Sequence, residues 1–185
     1  MRPAMSTILL VIASGVAAGL TAQTPPGPYS GQENREIKAL APEQIAAYEG
    51  GEGMGYAKAA ELNHFPGPKH VLELEKELGL TGAQATTARE IYRRMHERAV
   101  RLGKSVLEKE RELDRLFSDA RITPDVLSRI TSEAARLEGE LRATHLQAHL
   151  EMRSLLTPAQ IAAYDALRGY GKGGHSGHHG GGASR

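Results

Sequence analysis

Two stretches of the chain place apolar side chains at helical intervals. Between residues 82 and 118, Ala88, Ile91, Met95, Leu102, Val106, Leu113 and Phe117 recur at steps of three, four and seven, with Ala99 filling one gap. Between 124 and 155, Leu127, Ile130, Ala134, Leu137, Leu141, Ala148, Met152 and Leu155 follow the same rule. At about 3.6 residues per turn, each set forms one narrow stripe on an otherwise charged helix. No proline falls between Pro68 and Pro124, or between Pro124 and Pro158, so both helices can run uninterrupted. The six-residue connection "SDARIT" makes them antiparallel neighbours and lets stripe face stripe. The pattern predicts an all-α fold, a long antiparallel helical hairpin with short flanking helices at 42–48, 69–78 and 158–168 and a helical turn at "YAKAAEL". A first arm of about 55 Å is longer than a compact domain of this size needs, so a homodimer is expected.

One phrase recurs at the helix starts. "LTGAQ" begins at Leu80 and "LTPAQ" at Leu156, while "LAPEQIAAYEG" at Leu40 is nearly repeated by "LTPAQIAAYDA". In the two threonine copies, Thr81 or Thr157 can accept a hydrogen bond from the backbone N–H three residues on. Gln84 or Gln160 can reach back to the threonine's own N–H, the reciprocal arrangement of a capping box. Pro158 stands at the first helical position, where its missing donor costs nothing. Each cap contributes about 1 kcal/mol. The copy at Leu40 has Ala41 in place of threonine and should start its helix less firmly.

Composition adds boundaries. The start of the chain reads as an export signal: Arg2, the apolar run "TILLVIASGVAAGL", and a small residue, Ala22, before a cut near Gln23. A cut after Ala18 is the alternative. Residues 1–22 are then a signal peptide, 23–68 an N-terminal region with an extended Pro/Gly lead-in, 69–170 the helical domain, and 171–185 a disordered Gly/His-rich tail. With no cysteine, neither disulfides nor a thiolate metal site are available. Lys and Arg total 23 against 22 Asp and Glu, a balance that offers nothing to nucleic acid.

Enzyme signatures are absent where their spacing can be checked. "HERAV" at His96 has Val100 where a zinc protease needs its second histidine, and "GHSGH" ending at His178 does not form a nucleophile elbow. The glycines of "GGEGMG" neither follow a strand nor precede a phosphate-binding lysine. A non-enzyme is expected. Metal binding has better support, because His145 and His149 stand four apart and share a helix face. If the hairpin folds about residues 120 and 121, His96 lies level with His145, at the flank of the stripes where a site can reach solvent. The tail adds His175, His178 and His179, which can chelate Zn, Cu or Ni weakly. No cofactor is required by either reading.

The paired "LTGAQ" and "LTPAQ", enclosing charged helices in an exported chain, resemble the LTXXQ motifs of the Spy/CpxP family. The resemblance covers about Leu78 to Tyr170 and implies a periplasmic, curved, all-α homodimer acting as an ATP-independent chaperone or envelope-stress inhibitor. Its wider group includes periplasmic heavy-metal sensors and zinc-binding proteins. Under this resemblance Arg94, Arg98 and Arg101, at spacings of four and three beside the apolar stripe, are candidate contacts for unfolded or misfolded envelope proteins. On spacing alone they equally serve as solvating residues, with Glu90–Arg94 and Glu97–Arg101 set to pair at i,i+4. A sensor-kinase ectodomain is a further possible partner.

Overall fold

The computed structural model describes residues 26–170. The expected signal peptide and the Gly/His-rich tail with His175, His178 and His179 lie outside the described residues. The chain divides into two units, Met1–Glu33 and Asn34–Arg185. In the first, residues 26–33 make two tight turns rather than an extended lead-in. Pro28 occupies the second position of one turn, closed by Ser30 N–H to Gly27 O at 3.0 Å. Gly31, at φ +88°, occupies the third position of the next, closed by Gln32 N–H to Tyr29 O at 3.0 Å.

The second unit is all helical among its described residues. Its elements are α1 (Pro42–Glu49), α2 (Lys58–Glu61), α3 (Pro68–Glu73), α4 (Gly82–Ser118), α5 (Pro124–Leu155) and α6 (Pro158–Leu167). The two long helices match the stripes and fold back on one another. Lys109 Nζ reaches Glu133 Oε2 at 2.7 Å across the hairpin, fixing its register. The link is five residues, Asp119 to Thr123, and Ala120 takes a left-handed φ of +53° so that Arg121 N–H can cap Leu116 O at 2.9 Å. Helix α3 is shorter than the expected 69–78: it stops at Glu73, and turns carry the chain to Gly79, whose φ of +58° aims it at the start of α4.

Two apolar clusters line the hairpin. Near its open end, Val71, Leu78, Tyr164 and Leu156 close over Ala88, Ile91, Ala148 and Met152. Farther along, Ile37 and Tyr48 close over Ala99, Val106, Leu107, Leu137 and Leu141. Helix α1 crosses α4 at Gly103, where an added Cβ would stand 2.1 Å from the Tyr48 carbonyl oxygen, so no larger residue admits this crossing. Neither cluster reaches the hairpin tip. Phe117 and Leu127, members of the expected stripes, are accordingly 56% and 38% exposed. No helix among the described residues is long and apolar enough to cross a membrane.

Candidate functional site

The helix-entry motifs meet each other. Thr81 and Thr157 each accept from the backbone N–H of their own glutamine at 3.2 Å, and each glutamine Oε1 accepts from its threonine's N–H, at 3.0 and 2.9 Å. Beyond these local boxes, Gln84 Nε2 donates to Gln160 Oε1 at 2.9 Å and Gln160 Nε2 donates back to Gln84 Oε1 at 3.1 Å. The second hydrogen of each amide crosses to the other arm, Gln84 to Leu155 O at 3.1 Å and Gln160 to Leu78 O at 3.3 Å. Both amides are thereby saturated, and the open end of the hairpin is locked by a reciprocal pair. At Leu40 only half the box survives. Gln44 accepts from Ala41 N–H at 2.8 Å, but Ala41 has no side-chain oxygen to return the bond.

The tyrosine that ends "IAAY" also has the same job in both copies. Tyr48 Oη donates to Glu138 Oε1 at 2.9 Å and Tyr164 Oη donates to Glu61 Oε1 at 2.5 Å, each tying a short helix to a distant element through a buried phenol. Burial first, and then the bond to its partners, pushes both phenols well above their usual range, so both remain donors.

Between the two apolar clusters lies a pocket of about 290 Å³ whose wall includes His96, His145 and His149. Residues 51–70 roof it. Arg153 holds the roof down, its guanidinium stacked 4.6 Å over the Phe65 ring and bonded to the His64 carbonyl. That fixes the Phe65 carbonyl, to which His149 Nδ1 donates at 2.7 Å, leaving Nε2 as the lone-pair nitrogen. Gly67 fits flush against the same ring, where an added Cβ would come within 2.9 Å of Cε1. Glu61 Oε2 lies 3.6 Å from His149 Nδ1. His145 stacks on Tyr56 at 6.2 Å between ring centroids, and His96 on Tyr92 at 5.6 Å.

The histidines differ from expectation in burial. His145 and His149 are 4% and 7% exposed, not at a solvent-facing flank, because the roof segment covers their side of the hairpin. Burial, aided by neighbouring His149 and opposed by Glu52, holds the His145 imidazole below its usual range and so neutral. Its Nε2 is buried without a hydrogen-bond partner among the described residues. Among the described residues no group of three or more His, Asp or Glu stands together as a metal set, so the three histidines share a pocket without forming a ready-made site.

A second groove runs along the other side. Residues two apart on a helix point about 200° apart, so Arg94 and Arg98 face away from His96, and Gln147 away from His145 and His149. The groove, about 540 Å³, is lined among the described residues by α4 and α5 alone, with Arg94, Arg98 and Arg101 along one bank and Ala143, Ala148 and Gln147 along the other. It continues past Ile91 to Leu150, which is 49% exposed. The expected i,i+4 pairs do not form. Arg93 takes both Glu90 at 2.7 Å and Glu97 at 2.9 Å, its two nitrogens spanning both acids, and Arg94 reaches across to Glu151 at 2.7 Å. Among the described residues Arg98 and Arg101 have no carboxylate partner, and both are exposed.

A family model, LTXXQ motif family protein, matches residues 68–168, the stretch that holds both motifs. The chain belongs to the LTXXQ motif family, which includes Spy/CpxP-like periplasmic proteins. No curated protein and no solved structure matches it.

Proposed function

We propose that the protein is a periplasmic, ATP-independent chaperone or envelope-stress protein, not an enzyme, that holds unfolded envelope proteins in the uncovered groove between α4 and α5. The carrying observation is that this groove places Arg98 and Arg101, without carboxylate partners among the described residues, together with Ile91 and Ala148, and continues past Ile91 to exposed Leu150. Guanidinium groups draw acidic segments in at long range, and short apolar contacts hold them weakly, which suits release without nucleotide. A homodimer belongs to this reading, with the exposed tip residues Phe117 and Leu127 available to a second copy. Docking of one folded partner, such as a sensor-kinase ectodomain, would use the same surface.

The test is aggregation of an unfolding reporter at low salt without nucleotide. The protein should suppress it at a severalfold excess, and replacing Arg98 and Arg101 by Ala should weaken suppression while leaving stability within about 0.5 kcal/mol. Adding Arg94→Ala should contribute less, because that side chain already pairs with Glu151. Absence of suppression by the unaltered protein would sink the reading.

A second reading, binding of Zn, Cu or Ni, is favoured by one observation: the buried, unpartnered Nε2 of His145 on the wall shared with His149. A neutral imidazole whose other neighbour donates Nδ1–H to a carbonyl is the usual state of a metal-binding pair. Zinc calorimetry tests it, with no micromolar binding as the refuting result.

A further inference from the structure

We propose that the roofed pocket on the histidine side binds a small, elongated aryl carboxylate that carries a hydroxyl at its far end. The proposal is independent of the client groove, which lies on the opposite side of the hairpin, and it assigns the His145 imidazole to an organic ligand rather than to a metal ion.

Two polar atoms of the pocket wall are buried without a hydrogen-bond partner among the described residues, His145 Nε2 and Arg168 Nε. Leaving such groups unpaired costs free energy that a ligand able to pair with them recovers. They ask for different partners. Arg168 is permanently protonated, so its Nε–H can only donate, and an anion answers it best. The nearest acid does not serve: Glu61 Oε1 stands 3.6 Å away and already accepts from Tyr164 Oη at 2.5 Å. Lys69 on the same wall adds a second positive charge. His145, held neutral by burial, offers one N–H and one lone pair, and a hydroxyl can meet either. Glu52 lies on the wall close enough to act on the charge of His145, which favours an uncharged group there over a second anion.

The two unpaired atoms stand well apart. Between them come Glu61, then His149, whose Nδ1 is 3.6 Å from Glu61 Oε2, then the helical turn from His149 back to His145, a rise of about 6 Å. A ligand that reaches both is elongated, with a polar group at each end. The wall between is apolar and includes a flat face: Met54 and Met95 supply thioethers that favour aromatic rings, and the Tyr92 ring stacks on His96 at 15°. A volume of about 290 Å³ lies at the small end of ligand pockets and fits one ring with a short chain.

The experiment titrates para-hydroxycinnamate into the chain beginning at Gln23, with a chelator present to strip metal. It follows heat and the imidazole nitrogen resonances of His145. One equivalent per chain should bind in the sub-millimolar range and shift His145. Two relatives of the probe sort the ends. Cinnamate lacks the hydroxyl and para-hydroxycinnamyl alcohol lacks the charge, and each should bind about tenfold more weakly. His145→Leu should bind the probe about tenfold more weakly and cease to distinguish it from cinnamate. Arg168→Gln, just past the end of α6, tests the other end by itself and should cease to distinguish the carboxylate from the alcohol. No heat and no His145 shift at millimolar probe overturns the proposal, as does equal binding of all three compounds. Binding that appears only when Zn²⁺ replaces the chelator also overturns it, and leaves the metal reading in place.

Discussion

One long side of the α4–α5 hairpin carries His96, His145 and His149 beneath residues 51–70, while the other presents Arg98 and Arg101 with nothing among the described residues laid across them. The same two helices build both sides. What separates them is whether the N-terminal segment can approach, and that is decided at Gly103, where the backbone of α1 touches α4, and at Arg153, which holds the roof over the histidines. A covered side allows neutral buried imidazoles and precise pairing. An open side keeps charge in water, where long-range attraction works but individual contacts stay weak.

The largest expected effect comes from uncoupling the cover. Gly103→Ala drives a methyl into the Tyr48 carbonyl and should cost about 3 kcal/mol in urea denaturation, because backbone on both sides must move. Gly139→Ala is the matching control: it sits in α5 with nothing within 4 Å, so the better helix former should add up to about 1 kcal/mol instead. Equal responses at the two positions would refute the packing argument.

Next in size is the lock at the open end, which both sides share. Gln84→Ala should cost about 2 kcal/mol by removing a cap and leaving Gln160 half-satisfied. Adding Gln160→Ala should then cost clearly less than it does alone, since the two glutamines are one unit. Strict additivity of the two changes would show that the cross-arm bonds contribute nothing.

The smallest effect concerns pH. Glu110 is held above its usual carboxyl range, by burial first and then by the charge of Glu138. The folded protein therefore binds its proton more tightly than the unfolded chain, so stability falls as pH rises from about 4.5 through the folded value. Glu110→Gln should raise the melting temperature slightly at neutral pH, with the gap closing below about 4.5. A gap that widens in acid would reverse the assignment.

The bounds of the two long helices and the threonine–glutamine caps were legible in the sequence because both depend on neighbours within a turn or two, whereas the early end of α3 at Glu73 was not. The stripes located α4 and α5, and threonine with glutamine three residues on located two helix starts. The mutual pairing of Gln84 with Gln160 was not legible, since nothing local says that two distant caps end side by side. The repeated "IAAY" did carry a readable hint, as both tyrosines prove to be buried donors to glutamates. Histidine burial escaped periodicity altogether: a narrow stripe describes one helix against one partner, and the roof over His145 and His149 is a third layer. The arginine pairing escaped for a different reason. Arg93, one residue from the expected partner Arg94, reaches both acids at once, leaving Arg94 to cross to Glu151 and Arg101 to solvent.

Ala120 bends the hairpin tip through a left-handed backbone conformation. A left-handed alanine costs about 1 kcal/mol that glycine would not, so the bend is held by what lies on either side of it rather than by its own preference. The two arms are therefore held together by the paired glutamines and the two apolar clusters, and the tip, which lies beyond both clusters, is the part of the hairpin least held by packing.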